Sequence, residues 1–98
     1  MDIGMNKNGN ELTISLEGRL DTLTSPELEK KLDSALDGIE KLTFDLKGLK
    51  YISSAGLRVL AAAMDIMEDR GEMFVANAND DVRDVFEITG FIEDLNMI

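Results

Sequence analysis

Leu12, Ile14 and Leu16 alternate with Thr13, Ser15 and Glu17, the period of a half-buried strand. Upstream, Ile3 and Met5 alternate with polar positions within Met1–Asn6. Asn8-Gly9 lies between the two runs and supplies the positive φ angles of a tight turn, so the spacing predicts an N-terminal β-hairpin. Gly18 ends the second strand or bulges it. The period then changes. Leu28, Leu32, Ala35, Leu36 and Ile39 share one face of a helix, and Glu27, Glu29, Lys30, Lys31 and Asp33 take the solvated face. Two starts fit this helix: a capping box of Thr24 with Glu27, or Ser25 as cap with Pro26 in the first helical position. Gly38 stops it.

A third strand follows at Leu42–Leu46, with Leu42, Phe44 and Leu46 on one face and Thr43 and Asp45 on the other. Residues 47–52 read as a loop. Leu57, Leu60, Ala61, Met64 and Met67 or Glu68 track a helix from about Ser54 to Arg70. Gly71 breaks the chain, Met73–Ala76 makes a fourth strand, and Asn77-Ala78-Asn79 turns. Asn79 caps a third helix, whose stripe is Val82, Val85 and Phe86 and whose first turn carries Asp80 and Asp81. Thr89-Gly90 ends it. Phe91, Ile92, Leu95, Met97 and Ile98 suit a last short strand or a tucked tail. This order predicts one α/β domain over residues 1–98, a mixed sheet of four to five strands with about three helices packed on it.

Composition narrows the function. The chain has 98 residues, a formal net charge of −10 and 44% apolar residues, enough aliphatic surface for one small core. The acidic balance argues against nucleic acid and anionic membrane, and suits either a protein partner with a basic patch or simple solubility. With no cysteine there is no disulfide, which fits a reducing cytoplasm. No apolar run is long enough to span a bilayer, and the N-terminus lacks a signal-peptide pattern. With no histidine, neither a Ser-His-Asp triad nor a His-containing zinc site can be built, and no cofactor or metal motif is present. The expectation is a cytoplasmic binding protein, not an enzyme.

The chemistry concentrates at Ser53 and Ser54. Serine before a helix caps its first turn, and the same place carries about half a positive charge from the aligned peptide dipoles. A phosphate attached there meets backbone N–H groups that the helix leaves unpaired. Such a pair is more often only a cap. Ala55 and Gly56 keep the spot uncrowded, Gly56 at a cost in helix propensity. Arg58 falls one helical turn after Ser54, placed either to pair with such a phosphate, to meet a partner carboxylate, or to stay solvated. Asp21 is by itself a turn former. Asp45 is either a solvated strand-end charge or a support for the Ser53–Ser54 loop.

Phe44-Asp45-Leu46 followed by Tyr51-Ile52-Ser53-Ser54-Ala55-Gly56-Leu57-Arg58-Val59-Leu60 resembles the signature of the STAS family, the bacterial anti-sigma factor antagonists. Gly18-Arg19-Leu20-Asp21 and Thr89-Gly90-Phe91 resemble two further landmarks of that family, correctly spaced. The resemblance implies a STAS-like fold and phosphorylation at Ser54 by a partner anti-sigma factor that is itself a serine kinase. Many relatives carry aspartate before that serine; Ser53 stands there in this chain and is a second, weaker acceptor. Asp21 matches a family acidic position that assists the chemistry or recognition of the modified serine. The implied partner surface is Asp21, Thr22, Ser53, Ser54, Ala55, Gly56 and Arg58.

The resemblance implies that the unphosphorylated surface docks on the anti-sigma factor and frees a sigma factor, and that phosphorylation switches docking off. A docking or accessory subunit of a transporter or signalling assembly is the alternative within the resemblance. A serine hydrolase is disfavoured, since Ser54 lacks the usual activating base. Family members usually carry a further helix beyond Thr89-Gly90. Its absence predicts an apolar patch at 91–98, covered by self-association or by the partner.

Overall fold

The computed structural model describes all of Met1–Ile98. β1 (Asp2–Asn8) and β2 (Glu11–Leu20) form the antiparallel hairpin. α1 (Ser25–Ala35) crosses over to β3 (Lys41–Ile52), α2 (Ser54–Glu68) to β4 (Glu72–Ala76), and α3 (Asp80–Ile88) with a single 3-10 turn, Phe91–Asp94, to β5 (Asn96–Met97). The five strands lie in sequence order, β1 antiparallel to β2 and every later pair parallel. The mixed sheet, the three helices and the hairpin agree with the pattern of the sequence.

The core lies on one face of the sheet. Leu12, Ile14, Leu16, Leu42, Phe44, Leu46, Met73 and Val75 are buried there with Leu28, Leu32, Leu36 and Ile39 of the α1 segment and Val82 and Phe86 of α3. Their strand neighbours Thr13, Ser15, Thr43, Asp45, Phe74 and Ala76 face the other way and are half-buried. The alternation in the sequence is therefore the alternation of a sheet covered by helices on one side.

Three local expectations shift, and at Gly18 the bulge is the reading that holds. The hairpin turn is Gly9-Asn10, one place later than Asn8-Gly9: Asn8 pairs with Glu11 and only Gly9 takes a positive φ, 64°. β2 runs through Gly18, which bulges at φ 101° where the register to β3 slips. Residues 47–52 are strand, not loop. β3 continues to Ile52 and buries Leu46, Leu49 and Ile52 at three-residue steps, because register shifts at Ser15/Glu17 and Gly18/Arg19 break the simple alternation. Gly48 packs closely against β2 there: a Cβ would lie 2.6 Å from Glu17 Cγ and force that side chain to move. α2 turns Gly56, Val59, Leu60, Ala63 and Met67 inward, leaving Leu57, Ala61 and Met64 half-buried at its margin.

The C-terminal segment covers itself. Leu95 is buried, Phe91 stands 5.9 Å edge-on from Phe86, and Met97 pairs with Val75 on β4. Ile98 is exposed, although its N–H donates to Val75 O at 2.9 Å. The expected apolar patch over 91–98 thus reduces to one exposed side chain, because the 3-10 turn folds Phe91 and Ile92 back onto α3 and the core.

Candidate functional site at the carboxyl ends of two parallel strands

β2 and β3 end side by side: Leu20 pairs with Ile52, so the chain leaves the sheet at Asp21 and Ser53 as neighbours. Ser53 N–H donates to Leu20 O at 2.9 Å, tying the two exits together. The carboxyl ends of adjacent parallel strands are where open α/β sheets present their functional groups. Sequence spacing alone, with over thirty positions between these residues, does not bring them together.

The first exit is a braced turn. Asp21 Oδ1 accepts from Leu23 N–H at 3.0 Å and from Thr24 N–H at 3.1 Å. The Thr24 hydroxyl donates to Arg19 O at 2.8 Å and accepts from Asp21 N–H at 2.9 Å. Thr24 occupies the cap position of α1, but with its hydroxyl so engaged it makes no side-chain cap, and the capping box with Glu27 does not form. Arg19 Nε stands 3.7 Å from Asp21 Oδ2, and its guanidinium lies 4.3 Å over the Tyr51 ring. Desolvation of the partly covered Asp21 carboxyl acts to raise its pKa. The Thr24 and Leu23 N–H groups, the Thr24 hydroxyl and the Arg19 charge outweigh that, and the pKa lies below its ordinary value. Asp21 therefore works chiefly inside its own turn.

Bracing this turn holds Leu23 outward, 89% exposed. An apolar residue held out on an ordered turn is a feature that hydrophobic periodicity does not flag.

The second exit is the start of α2. Ser53 is the N-cap, and its hydroxyl accepts from Gly56 N–H at 3.3 Å. Ser54, the first helical residue, is exposed and carries no hydrogen bond on its hydroxyl, so of the two serines it alone presents a free hydroxyl. Its N–H and that of Ala55 have no acceptor within the helix. Gly56 does not serve to open the surface. It is buried, and a Cβ there would meet Ile52 Cγ1 at 2.8 Å and Leu20 Cγ and O at 2.9 Å. Its role is to let α2 lie against both strand ends.

Arg58 is exposed and makes no ion pair. With Ala55 it lines a groove of about 280 Å³ between α1 and α2, whose opposite wall carries Thr22, Ser25 and Glu29. Asp21, Thr22, Ser53, Ser54, Ala55 and Arg58 thus gather at one end of the sheet, with Gly56 beneath them. Asp45 does not join them: its Oδ1 accepts from Lys47 N–H at 3.1 Å and Asn77 Nδ2 at 3.0 Å, bridging β3 to the turn after β4. No cluster of carboxylates suited to a metal ion is present, and no helix is long and apolar enough to cross a membrane.

The STAS domain model matches residues 2–98. BtrV of Bordetella bronchiseptica, which bears the name of an anti-sigma factor antagonist, is 37% identical over 94 residues, covering 94% of this chain and 81% of the relative. An anti-sigma factor antagonist from Mycobacterium paratuberculosis superposes with a TM-score of 0.89 at 22% identity, over 98% of this chain and 83% of that one. SpoIIAA in its unphosphorylated form superposes with a TM-score of 0.86 at 19% identity, over 99% and 88%. At these identities the superpositions show a common fold.

Proposed function

This chain belongs to the STAS domain family, and from that premise we propose that it is an anti-sigma factor antagonist whose docking is switched by phosphorylation of Ser54. The observation that carries the reading is the free Ser54 hydroxyl at the first position of α2, beside the braced Asp21 turn. Ser53 is the weaker acceptor, because its hydroxyl is engaged as the cap. The partner is an anti-sigma factor serine kinase, which supplies the ATP. The Ser54 oxygen attacks the γ-phosphorus, an O–P bond forms, the β–γ bridge breaks, ADP leaves and the hydroxyl proton is released. The chain itself is the substrate and ligand of this chemistry, a binding protein acting where the transcription machinery is, in the cytoplasm.

Phosphate adds about −1.5 to −2 charges and three acceptor oxygens. At the start of α2 the helix dipole and the Ser54 and Ala55 N–H groups tolerate it, so the fold changes little. In an interface shaped for a neutral hydroxyl, desolvating that dianion costs several kcal/mol, and the complex opens. The unmodified surface holds the anti-sigma factor and so frees a sigma factor for transcription.

The test is calorimetric titration against the candidate anti-sigma factor kinases of the same genome. Ser54→Ala binds like wild type, Ser54→Asp binds at least tenfold more weakly, and incubation with kinase and ATP adds one phosphate that mass spectrometry maps to Ser54. Equal affinity of the two variants refutes the switch.

A further inference from the structure

The turn after β2 displays one side chain that the switch does not use. Leu23 is 89% exposed. Single apolar residues at a surface are ordinary, and Ile88 in the last turn of α3 is another, 85% exposed. What sets Leu23 apart is how its backbone is held. Its own N–H donates to Asp21 Oδ1 at 3.0 Å, the Thr24 N–H donates to the same oxygen at 3.1 Å, and the Ser25 N–H donates to Asp21 O at 2.8 Å. The Thr24 hydroxyl bridges Asp21 N–H and Arg19 O. Arg19 pairs with Asp21 and stacks on Tyr51 of β3, so the turn is tied to the neighbouring strand as well. These bonds fix the leucine in water, where its apolar surface contributes nothing to the stability of the free domain. A residue ordered before it meets a partner has already lost its backbone freedom, and that loss does not recur on binding.

The place of the turn says which partner it meets. Asp21 and Ser53 leave the sheet side by side; Leu23 follows Asp21 by two residues and Ser54 follows Ser53 by one. At about 3.5 Å per residue and about 4.8 Å between strands, Leu23 and Ser54 lie no more than about 20 Å apart. An interface of standard size covers about 800 Å² on each side, a patch about 30 Å across, so a protein that covers Ser54 reaches Leu23 as well. Ile88 is not so placed: α3 starts beyond the carboxyl end of β4 and runs back toward the start of β5, at the opposite end of the sheet. We propose that Leu23 is the apolar anchor of the docking surface: its side chain inserts into an apolar pocket of the anti-sigma factor, and Asp21 is the positioning residue that holds it out. The inference rests on the antagonist reading above and deepens it. Ser54 decides whether docking is allowed, and the desolvated leucine supplies much of its strength.

The experiment titrates the anti-sigma factor found above against wild type, Leu23→Ala, Leu23→Met, Asp21→Ala and the Asp21→Ala, Leu23→Ala double variant. Ile88→Ala, equally exposed and far from Ser54, is the control. Leu23→Ala is expected to weaken binding about ten- to fiftyfold while the melting temperature of the free protein stays level. Leu23→Met, apolar and of similar volume, keeps most of the affinity, and Ile88→Ala binds like wild type. The loss caused by Asp21→Ala is smaller when Leu23 is already alanine than in the wild-type background, because Asp21 acts through the leucine. Equal losses in both backgrounds make Asp21 a contact in its own right and overturn its positioning role. Wild-type affinity in Leu23→Ala, or as large a loss in Ile88→Ala, overturns the anchor. A wild-type dimer in sedimentation that Leu23→Ala dissociates puts a second copy of the chain on the leucine and overturns it too. If Leu23→Ala keeps its affinity while Ser54→Asp still opens the complex, the switch stands without the anchor. A wild-type chain that binds no anti-sigma factor removes both.

Discussion

Replacing Gly56 by alanine tests how closely α2 rides on the strand ends. In an exposed helix the change would stabilise by about 0.8–1 kcal/mol through propensity. Here the new methyl lands 2.8 Å from Ile52 Cγ1 and 2.9 Å from both Leu20 Cγ and Leu20 O. Two of those atoms belong to buried side chains with nowhere to go, so overpacking costs about 1–3 kcal/mol. The third, Leu20 O, also accepts from Ser53 N–H at 2.9 Å, and straining that bond adds about 1 kcal/mol. The balance is a net loss of about 1–3 kcal/mol, which for a domain of this size lowers the melting temperature by about 5–20 °C. Thermal and urea unfolding followed by circular dichroism measure it. Partner binding should weaken as well, because the start of α2 lifts and takes Ser54 with it. A Gly56→Ala protein as stable as wild type, or more so, would mean that propensity wins and that the close approach does not hold the helix in place.

Three further outcomes follow from the same geometry. Ser53→Ala removes the cap on Gly56 N–H and costs about 1 kcal/mol in urea unfolding, against no loss for Ser54→Ala, whose hydroxyl bonds nothing. Asp21 has a lowered pKa, so the stability its carboxylate contributes is present above its unfolded-state pKa and is lost as pH falls through the folded value. Melting temperature measured against pH should therefore fall more steeply on the acid side for wild type than for Asp21→Asn, and identical curves would contradict the braced turn. Gly71→Ala puts a Cβ 1.8 Å from Glu40 O, the carbonyl that accepts from Glu72 N–H at 2.9 Å where β4 begins. It should cost about 3 kcal/mol or more, read as a sharp loss of soluble yield and of the unfolding midpoint.

The elements whose pattern repeats cleanly were legible from the chain. Leu12, Ile14 and Leu16, Leu42 and Phe44, and the α1 and α3 stripes state their period because one face of each is buried against a single layer. Asn79 was legible as a cap, and its Oδ1 accepts from Val82 N–H at 2.8 Å. The stretch 47–52 was not. Its buried residues fall at three-residue steps around a slipped register, and a slip is a relation between two strands that neither strand records alone.

The same division holds at the candidate site. The serine pair, the small residues after it and the arginine one turn on are local, and local chemistry fixes that a helix begins there with a cap and a positive end. The Asp21 bonds to Leu23 and Thr24 N–H and the Ser53 cap on Gly56 span two or three residues and are local too; that Gly56 looks inward and that the Asp21 turn stands beside the start of α2 were decided by the pairing of Leu20 with Ile52. That pairing sets two chain exits against each other, and what a side chain faces across such a junction depends on the other segment as much as on its own.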